Sequence, residues 1–577
     1  MKEEVEVTIV MIIITLLKDT IQIQILTSII QDLIALITQG LLVYQDPQVH
    51  QDPQVHQDPQ VYQPVVLEEV EEVLFSDLMN RFFFIFLLIV VTLQSSISQT
   101  YEDVLRYNSY FYDGSSRFNS MGGAFGALGG DLSSININPA GSSVFINSEM
   151  GFTLGYRDQE IKNDFQNSSS ISKNDNFTFN QLGVVLVYEN QNSKFSLAYN
   201  MNKLNDFNDS FAFSGQNSKG LDNYFLYYAN GIPSSDLIVY EGESIQSVYK
   251  LLGDKYGFGD QQAFLGYQSY MINPKDTELN SYISNAIYNS LNQSLFIERG
   301  GNHYKHSLNI SSSFSSNLSL GVNINFHSLD FQEEKFFNES NYSFDSFVQK
   351  IEFKEKLNVL GEGISFQLGA LLKINNFRLG LSYTSPTLLE ILEENSQFVE
   401  SEIFEEDLIK SYKIDPNTIN FYDEYELILP SKSLISFAYI FGSKGLVSVD
   451  YEFTKFNNSK FNDNNGDDIY LSSLNDLIKN NLNGNSQSIR IGGEYRFKNF
   501  NLRSGYFYYK GPDSKIDNLI RGFSLGIGID YGFFNIDLGV AKYNDFYNNR
   551  LYSKGLTSNY SIDKDIINLS STITIKL

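Results

Sequence analysis

Residues that could serve an enzyme are sparse in the second part of this chain. After residue 98 there are only three histidines, His303, His306 and His327, and the whole chain of 577 residues has no cysteine. A hydrolase needs a nucleophile beside a base, such as a Ser–His pair. His303 and His306 are three residues apart on a predicted strand, so they face opposite sides and cannot ligate one metal ion together. We therefore expect no catalytic residue, no metal site and no cofactor. His303 and His327 are expected to be polar residues that line the lumen of the barrel predicted below.

The composition is acidic and rich in aromatic residues. Asp and Glu number 68 against 41 Lys and Arg, which gives a net charge of −27. Such a chain lacks the basic surface that holds nucleic acid, so nucleic acid is excluded as a partner. The aromatic residues, 14% of the chain, are Tyr and Phe without Trp. Together with many Gly and few Pro, this composition favours strands over helices.

The N-terminal part differs from the rest. Residues 1–78 contain an apolar run too short to span a bilayer and a repeated Gln-Asp-Pro-Gln-Val-His unit, which predicts a disordered segment. Two histidines of that repeat, His50 and His56, leave a weak metal-binding tract as an alternative. Residues 79–98 have a positive start, an apolar core and small residues at Ser96 and Ser98, which predicts a secretory signal peptide. We expect residues 1–78 to be a non-native upstream extension and the mature chain to begin near Gln99.

Strict alternation of apolar and polar residues dominates the chain after residue 148. Leu318, Leu320, Val322 and Ile324, for example, alternate with polar residues and glycine. About fourteen such strands can be counted, and short turns after the even-numbered strands contrast with long connections after the odd-numbered ones, notably at 214–301 and 388–426. An even strand count, short turns at one rim and long loops at the other are typical of a bacterial outer-membrane barrel. The sequence therefore predicts an all-β fold, a transmembrane antiparallel β-barrel over residues 149–577.

Residues 99–148 precede the first strand and are too rich in glycine to form one. They contain Met121-Gly122-Gly123-Ala124-Phe125 and, further on, Asn138-Pro139-Ala140. A stretch of small and apolar residues ahead of a barrel can fold back as a plug in the lumen, here termed the hatch. The segment closely resembles the FadL/TodX family of outer-membrane transporters for long-chain fatty acids and other hydrophobic molecules. Further matches are Ser382-Tyr383-Thr384-Ser385-Pro386, Leu429-Pro430-Ser431, the run 449–456, and the run 490–496 leading to 502–506.

The resemblance implies ligand capture in apolar extracellular loops, rearrangement of the hatch, and sideways release through a kink in the third strand. Candidate hatch residues for ligand binding or gating are Met121, Phe125, Leu128, Asn138, Pro139 and Ala140. Candidate capture residues in the loops are Tyr224, Phe225, Leu226, Leu251, Leu252, Phe264, Leu388 and Leu392, although each could instead pack in the core of a small loop helix. Alternation in the third strand fails after Met201, since Lys203 falls on the face that was apolar. This places the candidate kink at Asn205, Asp206, Phe207 and Asn208, with an extracellular extension of the strand as the alternative.

The function expected from these features is passive uptake of hydrophobic small molecules, long-chain fatty acids first, across the outer membrane of a Gram-negative bacterium. The expected partners are that substrate and outer-membrane lipid, with the protein as a monomer. A general porin or an adhesin is the alternative, and an outer-membrane lipid hydrolase is the rival from another class. A porin would need an open lumen, and an adhesin would leave the hatch motif unexplained.

Overall fold

The computed structural model describes residues 99–108, 113–190, 194–275, 278–314, 316–463, 469–512 and 519–577. The predicted extension at 1–78 and the predicted signal peptide at 79–98 lie outside the described residues.

Fourteen antiparallel strands close into one barrel, which confirms the predicted fold class. Four of the fourteen, the third, seventh, eighth and ninth, consist of two segments each. The first strand pairs with the last along its whole length, from Glu149 opposite Lys576 to Phe165 opposite Tyr560, and this pairing closes the barrel. In chain order the barrel strands are β1 Glu149–Phe165, β2 Ser168–Glu189, β3 Lys194–Asp206 with β4 Asp209–Asn217, β7 Leu291–Ser313, β8 Leu318–Ser340, β9 Val348–Ile374, β10 Phe377–Thr384 with β11 Thr387–Glu405, β14 Tyr425–Leu429 with β15 Lys432–Ile440, β16 Gly445–Lys455 with β17 Lys460–Asp463, β18 Asn485–Phe497, β19 Phe500–Lys510, β20 Leu519–Asp530, β21 Phe534–Arg550 and β22 Asn559–Lys576.

The remaining strands and the helices lie in the loops or inside the barrel. The short strands are β5 Ile272–Lys275, β6 Glu278–Ser284, β12 Leu408–Ile414 and β13 Asn420–Phe421. The α-helices are α1 Asp103–Tyr107, α2 Ser116–Ser120, α3 Asp222–Ala229, α4 Ile245–Tyr256, α5 Phe258–Gln268 and α6 Ile469–Asn481. Single 3₁₀ turns occupy Leu132–Asn136, Pro139–Val144, Ser234–Leu237 and Phe456–Asn458. Within the described part of the chain, none of the helices has the length and apolar character needed to cross a membrane.

The alternation in sequence becomes an inward and an outward face. On β8 the side chains of Leu318, Leu320, Val322 and Ile324 point outward and are 36–48% exposed, whereas Ser319 and Asn323 are buried in the lumen. Apolar side chains that face outward from every strand form a band suited to lipid, because the hydrocarbon of a bilayer solvates them.

The strands continue well beyond this apolar band. On β8 the outward positions from Ser328 to Glu334 are polar, and Glu362 on β9 and Glu390 on β11 lie level with Ser328, whereas Leu360, Leu392 and Phe336 face outward further along the strands. From Ser328 to the end of β8 the strand runs for roughly 40 Å at a rise of about 3.3 Å per residue. The long-loop end of the barrel therefore extends beyond the apolar band as a tower, defined as the part of the strands beyond Phe326 and its neighbours.

Both predicted long loops are shorter than expected, and the second prediction is wrong. The first loop shrinks to 218–290, since β4 continues the third strand to Asn217 and β7 begins at Leu291. Residues 387–405 form β11 and residues 408–414 return as β12, so most of 388–426 is sheet. Leu388, Leu389, Ile391 and Leu392 have helical spacing, but they form a strand because β9 on one side and β14 on the other pair with the backbone of β11.

Candidate functional site

The hatch fills the lumen with buried residues. Its secondary structure is α1, α2 and the two 3₁₀ turns at Leu132–Asn136 and Pro139–Val144. The candidate hatch residues are all buried there, namely Met121, Phe125, Leu128, Asn138, Pro139 and Ala140. Asp131 caps the first 3₁₀ turn by accepting a hydrogen bond from the Ser133 N–H at 2.9 Å, and burial raises the pKa of its carboxyl above the usual value.

Hydrogen bonds attach the hatch to strands around the barrel. Ser142 Oγ lies 2.6 Å from Ser311 Oγ of the fourth strand, and Asn138 Nδ2 donates to the Ala370 carbonyl of the sixth at 3.0 Å. Further round, Arg117 pairs with Glu494 of the tenth strand at 2.8 Å. Because these contacts lie on well-separated strands, a path through the lumen requires several of them to break.

Two pairs of glycines on the barrel wall allow the hatch to pack directly against the backbone of the strands. Gly321 and Gly369 stand opposite each other on the fifth and sixth strands, and a Cβ on Gly369 would lie 2.1 Å from Asn138 Oδ1. Gly492 and Gly505 stand opposite each other on the tenth and eleventh strands in the same way. No side chain fits at these positions without displacing the hatch.

The third strand is broken between Asp206 and Asp209. The ladder between β2 and β3 ends at Gln181 opposite Asn202, and the register towards β7 shifts between Lys203 and Asn205. The candidate kink residues Asn205, Asp206, Phe207 and Asn208 fall at this break. On the neighbouring β2, the outward Phe177 is 85% exposed, which places the break near the upper limit of the apolar band.

Beyond the break, side chains replace the backbone ladder between the second and third strands. Asn174 Nδ2 donates to the Ser210 carbonyl at 2.8 Å and its Oδ1 accepts from the Ser210 N–H at 3.0 Å. Ser170 Oγ donates to the Ala212 carbonyl at 2.6 Å. We call this line of contacts the seam. A side-chain contact can be released by a rotamer change, whereas a ladder cannot, so the seam is a weak line in the wall.

A cluster of four charges joins the hatch to the break. Asp113 of the hatch lies 3.2 Å from Arg157 of the first strand and 3.6 Å from Lys203, and Lys203 also lies 2.8 Å from Asp206. Asp206 further accepts hydrogen bonds from Asn176 of β2 and from Asn208. Burial of this kind demands paired charges, because an unpaired ion in a water-poor site is strongly destabilising.

The loop 218–290 forms a packed layer of helices above the hatch. Tyr224, Phe225, Leu252 and Phe264 are at most 3% exposed and belong to an apolar cluster that also includes the inner face of the tower. Leu226 packs partly buried against that cluster, whereas Leu251 is 57% exposed. Of the proposed capture residues in this loop, Leu251 is the one that the structure presents openly to solvent.

The other two proposed capture residues are in a different setting. Leu388 and Leu392 are outward-facing residues of β11, each 39% exposed. They therefore belong to the outer wall and not to a capture loop, which corrects the prediction for both.

The two lumenal histidines form a hydrogen-bonded chain that sequence reasoning did not find. His303 Nε2 lies 3.1 Å from His327 Nδ1, and His327 Nε2 lies 3.0 Å from Ser365 Oγ. His303 Nδ1 lies 3.2 Å from the carbonyl oxygen of Tyr107 in α1. Among the described residues no group of three or more His, Cys, Asp or Glu side chains is arranged to hold a metal ion.

One further serine matches a hydrolase pattern in sequence. Gly522-Phe523-Ser524-Leu525-Gly526 has Gly-x-Ser-x-Gly spacing, but it lies within β20 and not at a strand-to-helix turn. Ser524 Oγ accepts a hydrogen bond from the Gly122 N–H at 3.1 Å and so holds the hatch.

Sequence reasoning identified Lys203 as a charge on the apolar face but missed the cluster that Lys203 and a second cation, Arg157, form with Asp113 and Asp206. Arg157 carried a usable signal, since it occupies an inward position of β1 between Gly155 and Gln159. Asp113 carried none, because its position in the lumen depends on the path of the hatch.

The strand pairing and the lumenal hatch define the class of protein, a plugged fourteen-stranded barrel. No family model and no curated protein sequence matches the chain. Among solved structures, the chain resembles the FadL and TodX transporters. It is similar to a Pseudomonas aeruginosa FadL homologue with a TM-score of 0.45 and 10% identity, over 84% of this chain and 100% of that one. It is similar to the Pseudomonas putida toluene transporter TodX with a TM-score of 0.43 and 13% identity, over 82% and 100%. It is similar to the Ralstonia pickettii toluene transporter TbuX with a TM-score of 0.39 and 11% identity, over 81% of this chain and 99% of that one.

Proposed function

We propose that the protein is a channel of the Gram-negative outer membrane for passive uptake of hydrophobic small molecules, long-chain fatty acids first. In this proposal the ligand is captured at the loop layer, the hatch rearranges, and the ligand leaves sideways between the second and third strands into the membrane. No energy-coupling partner is required.

The observation that carries this proposal is the break in the third strand beside the hatch. It lies near the upper limit of the apolar band, and the wall beyond it is held by the side chains of Asn174 and Ser170 instead of a ladder. A sideways exit at that height delivers an apolar molecule into lipid without crossing the polar rim, where its transfer would be unfavourable.

Two features favour uptake of hydrophobic molecules over the porin alternative. The hatch is buried in the lumen and hydrogen-bonded to strands around it, which opposes free flow of water-soluble molecules. The loop layer is built largely of aromatic and aliphatic side chains, as a surface that binds apolar ligands requires.

The test is uptake of labelled oleate by cells that lack their own transporter and express residues 79–577. A double variant, Ser142→Cys with Ser311→Cys, places two thiols where the hydroxyl oxygens are 2.6 Å apart, and the chain has no other cysteine. Oxidation should tie the hatch to the fourth strand and abolish uptake, and a reductant should restore it. Uptake that is indifferent to oxidation, with the disulfide verified, would contradict a route through the hatch.

A lipid hydrolase is the second candidate, and the chain Ser365–His327–His303 favours it. Its order matches a nucleophile, a base and a group that orients the base. Treatment of the folded protein with a serine-directed fluorophosphonate decides between the two functions. Labelling that Ser365→Ala removes would support a hydrolase, and an unlabelled protein that takes up oleate would exclude it.

A further inference from the structure

The short-turn end of the barrel is basic over much of its circumference, although the chain has a net charge of −27. The second to fifth short turns, with the strand ends beside them, occupy 313–318, 373–378, 439–445 and 496–501. These segments contain no Asp or Glu. The first and sixth short turns differ, because Glu189 and Asp530 end the strands that lead into them. We call the four segments the basic rim, and their basic residues are Lys373, Arg378, Lys444, Arg496 and Lys498.

Most of the charge on the basic rim is not neutralised by a direct contact. In the described part of the chain, Arg496 is the one basic residue of the rim with a carboxylate within 4.0 Å. Its partner Glu494, at 2.7 Å, also lies 2.8 Å from Arg117 and 2.8 Å from Arg503. One carboxylate thus serves three arginines, and the rim keeps an excess of positive charge.

The side chains of the rim can meet a water-soluble partner more readily than lipid. Arg378 reaches a carbonyl group of the hatch and therefore points into the lumen, and Lys373 stands directly opposite it on the sixth strand. Arg496 alternates with exposed aromatic residues on either side, so it faces the lumen too. Lipid lies outside the barrel and cannot cover these three side chains. The other two, Lys444 and Lys498, are exposed in the turns, which face the periplasm in an outer-membrane barrel.

The basic rim also touches the hatch from the periplasmic side. Arg378 Nη1 donates to the Leu128 carbonyl of the hatch at 2.6 Å. The positive charges of Arg117 and Arg496 repel that of Arg378. A carboxylate that docks beside Arg378 relieves this repulsion, because it places a negative charge among like charges. A partner bound there therefore contacts a side chain that holds the hatch.

We propose that the basic rim docks an acidic soluble protein of the periplasm, which covers the short-turn mouth of the barrel beneath the hatch. Carboxylates of such a protein are attracted to the rim, whereas the acidic remainder of the barrel repels them. The charge pattern therefore selects the end of the barrel and the orientation in which the partner docks. This inference goes beyond the proposed uptake function, since it concerns a protein partner and no transported molecule.

The experiment measures binding of a fluorescent octaglutamate peptide to the purified protein in nanodiscs of phosphatidylcholine, a lipid without net charge. Octaglutamate supplies the carboxylates of the proposed partner, and octaglutamine supplies the same backbone without them. Octaglutamate should bind and octaglutamine should not. The affinity for octaglutamate should fall between about 0.05 M and 0.5 M salt, because salt screens exposed charges.

Substitutions in the turns test whether the basic rim is the binding site. Lys444→Gln with Lys498→Gln should weaken octaglutamate binding about fivefold, since each exposed ion pair contributes a factor of about two to three. Lys250→Gln with Lys255→Gln is the matched control, because both lysines are exposed on α4 at the long-loop end. The affinity of this control should stay within about twofold of wild type. Circular dichroism verifies that each variant is folded.

The inference is overturned if wild type does not bind octaglutamate, if the turn variant binds it as well as wild type, or if the control loses as much affinity. It is also overturned if wild type retains phosphatidylglycerol that the turn variant loses and neither binds octaglutamate, because the rim then serves lipid. Uptake of oleate is measured separately, so each of these outcomes leaves the proposed function standing.

Discussion

Gly492 and Gly505 lie directly opposite each other on the tenth and eleventh strands, and the backbone at Met121 and Gly122 rests against both. A Cβ on Gly492 would lie 2.4 Å from the Met121 carbonyl oxygen, and one on Gly505 would lie 2.2 Å from the Gly122 nitrogen. The hatch thus touches the wall backbone to backbone, a contact that cannot adapt by rotating a side chain.

Substitution Gly492→Ala should loosen the hatch. The added methyl group overlaps a backbone atom, and overpacking of that kind costs about 1–3 kcal/mol. Faster cleavage within residues 113–148 by a protease added to the purified protein measures the effect. Gly493→Ala is the control, because a Cβ there would meet nothing nearer than 3.7 Å. Equal cleavage rates for the two variants would show that the close contact at Gly492 does not hold the hatch in place.

A covalent link across the seam should abolish sideways release. Cysteines in place of Asn174 and Ser210 would stand where the Oδ1 and Oγ atoms are 2.7 Å apart. Oxidised cells should take up oleate at the background rate and recover with a reductant. A pair at Ser313 and Ser319 serves as the control, since their hydroxyl oxygens are 2.9 Å apart on strands that are already paired there. Full uptake with the seam linked would place the exit elsewhere.

Substitutions of two adjacent leucines in α4 should distinguish a role in ligand capture from a role in packing. Leu251 is 57% exposed and Leu252 is 2% exposed. Leu251→Ala should raise the oleate concentration for half-maximal uptake by about tenfold or more, since one leucine contributes about 1.5–3 kcal/mol when a ligand covers it fully and about 1.4 kcal/mol is a factor of ten. Leu252→Ala should instead destabilise the loop layer by about 2–5 kcal/mol and speed its proteolysis. Unaltered uptake kinetics in Leu251→Ala would remove this residue from the capture surface.

The loop layer should also respond to pH through Asp260 in the first turn of α5. Burial, and secondarily the nearby Asp236, raises the pKa of Asp260 from 3.8 to about 6. A carboxyl whose pKa is higher in the folded state binds more protons there, so its contribution favours the docked layer below about pH 4 and is lost as the pH rises to about 6. Asp260→Asn should slow hydrogen exchange in α5 at pH 7 by up to about tenfold, after allowance for the part of the side chain that water reaches. At pH 4 the variant and wild type should exchange alike, and a difference that persists there would implicate another group.

The sequence was sufficient to predict the barrel but not the cluster of charges inside it. Alternation along each strand and the spacing of turns depend on local residues, so the number of strands and the position of the third-strand break could be predicted. The run Leu388 to Leu392 was wrongly placed in a loop, since its apolar residues lie on both faces of the strand and the strands that pair with it lie elsewhere in the sequence. The cluster of Asp113, Arg157 and Asp206, and the pairing of Gly492 with Gly505, depend on register and on the path of the hatch, which no single segment encodes.

The tower fixes the height of the barrel in its membrane. Asp330, Glu362 and Glu390 face outward immediately above the apolar band. If the barrel shifted towards its short-turn side by the height of the apolar band, these carboxylates would enter hydrocarbon, where a buried ion is strongly disfavoured. During assembly the same charged strands must pass through the membrane before the band can settle. The charged part of the strands must cross the hydrocarbon during insertion and would have to cross it again for the barrel to leave, so the inserted barrel is expected to stay in the membrane.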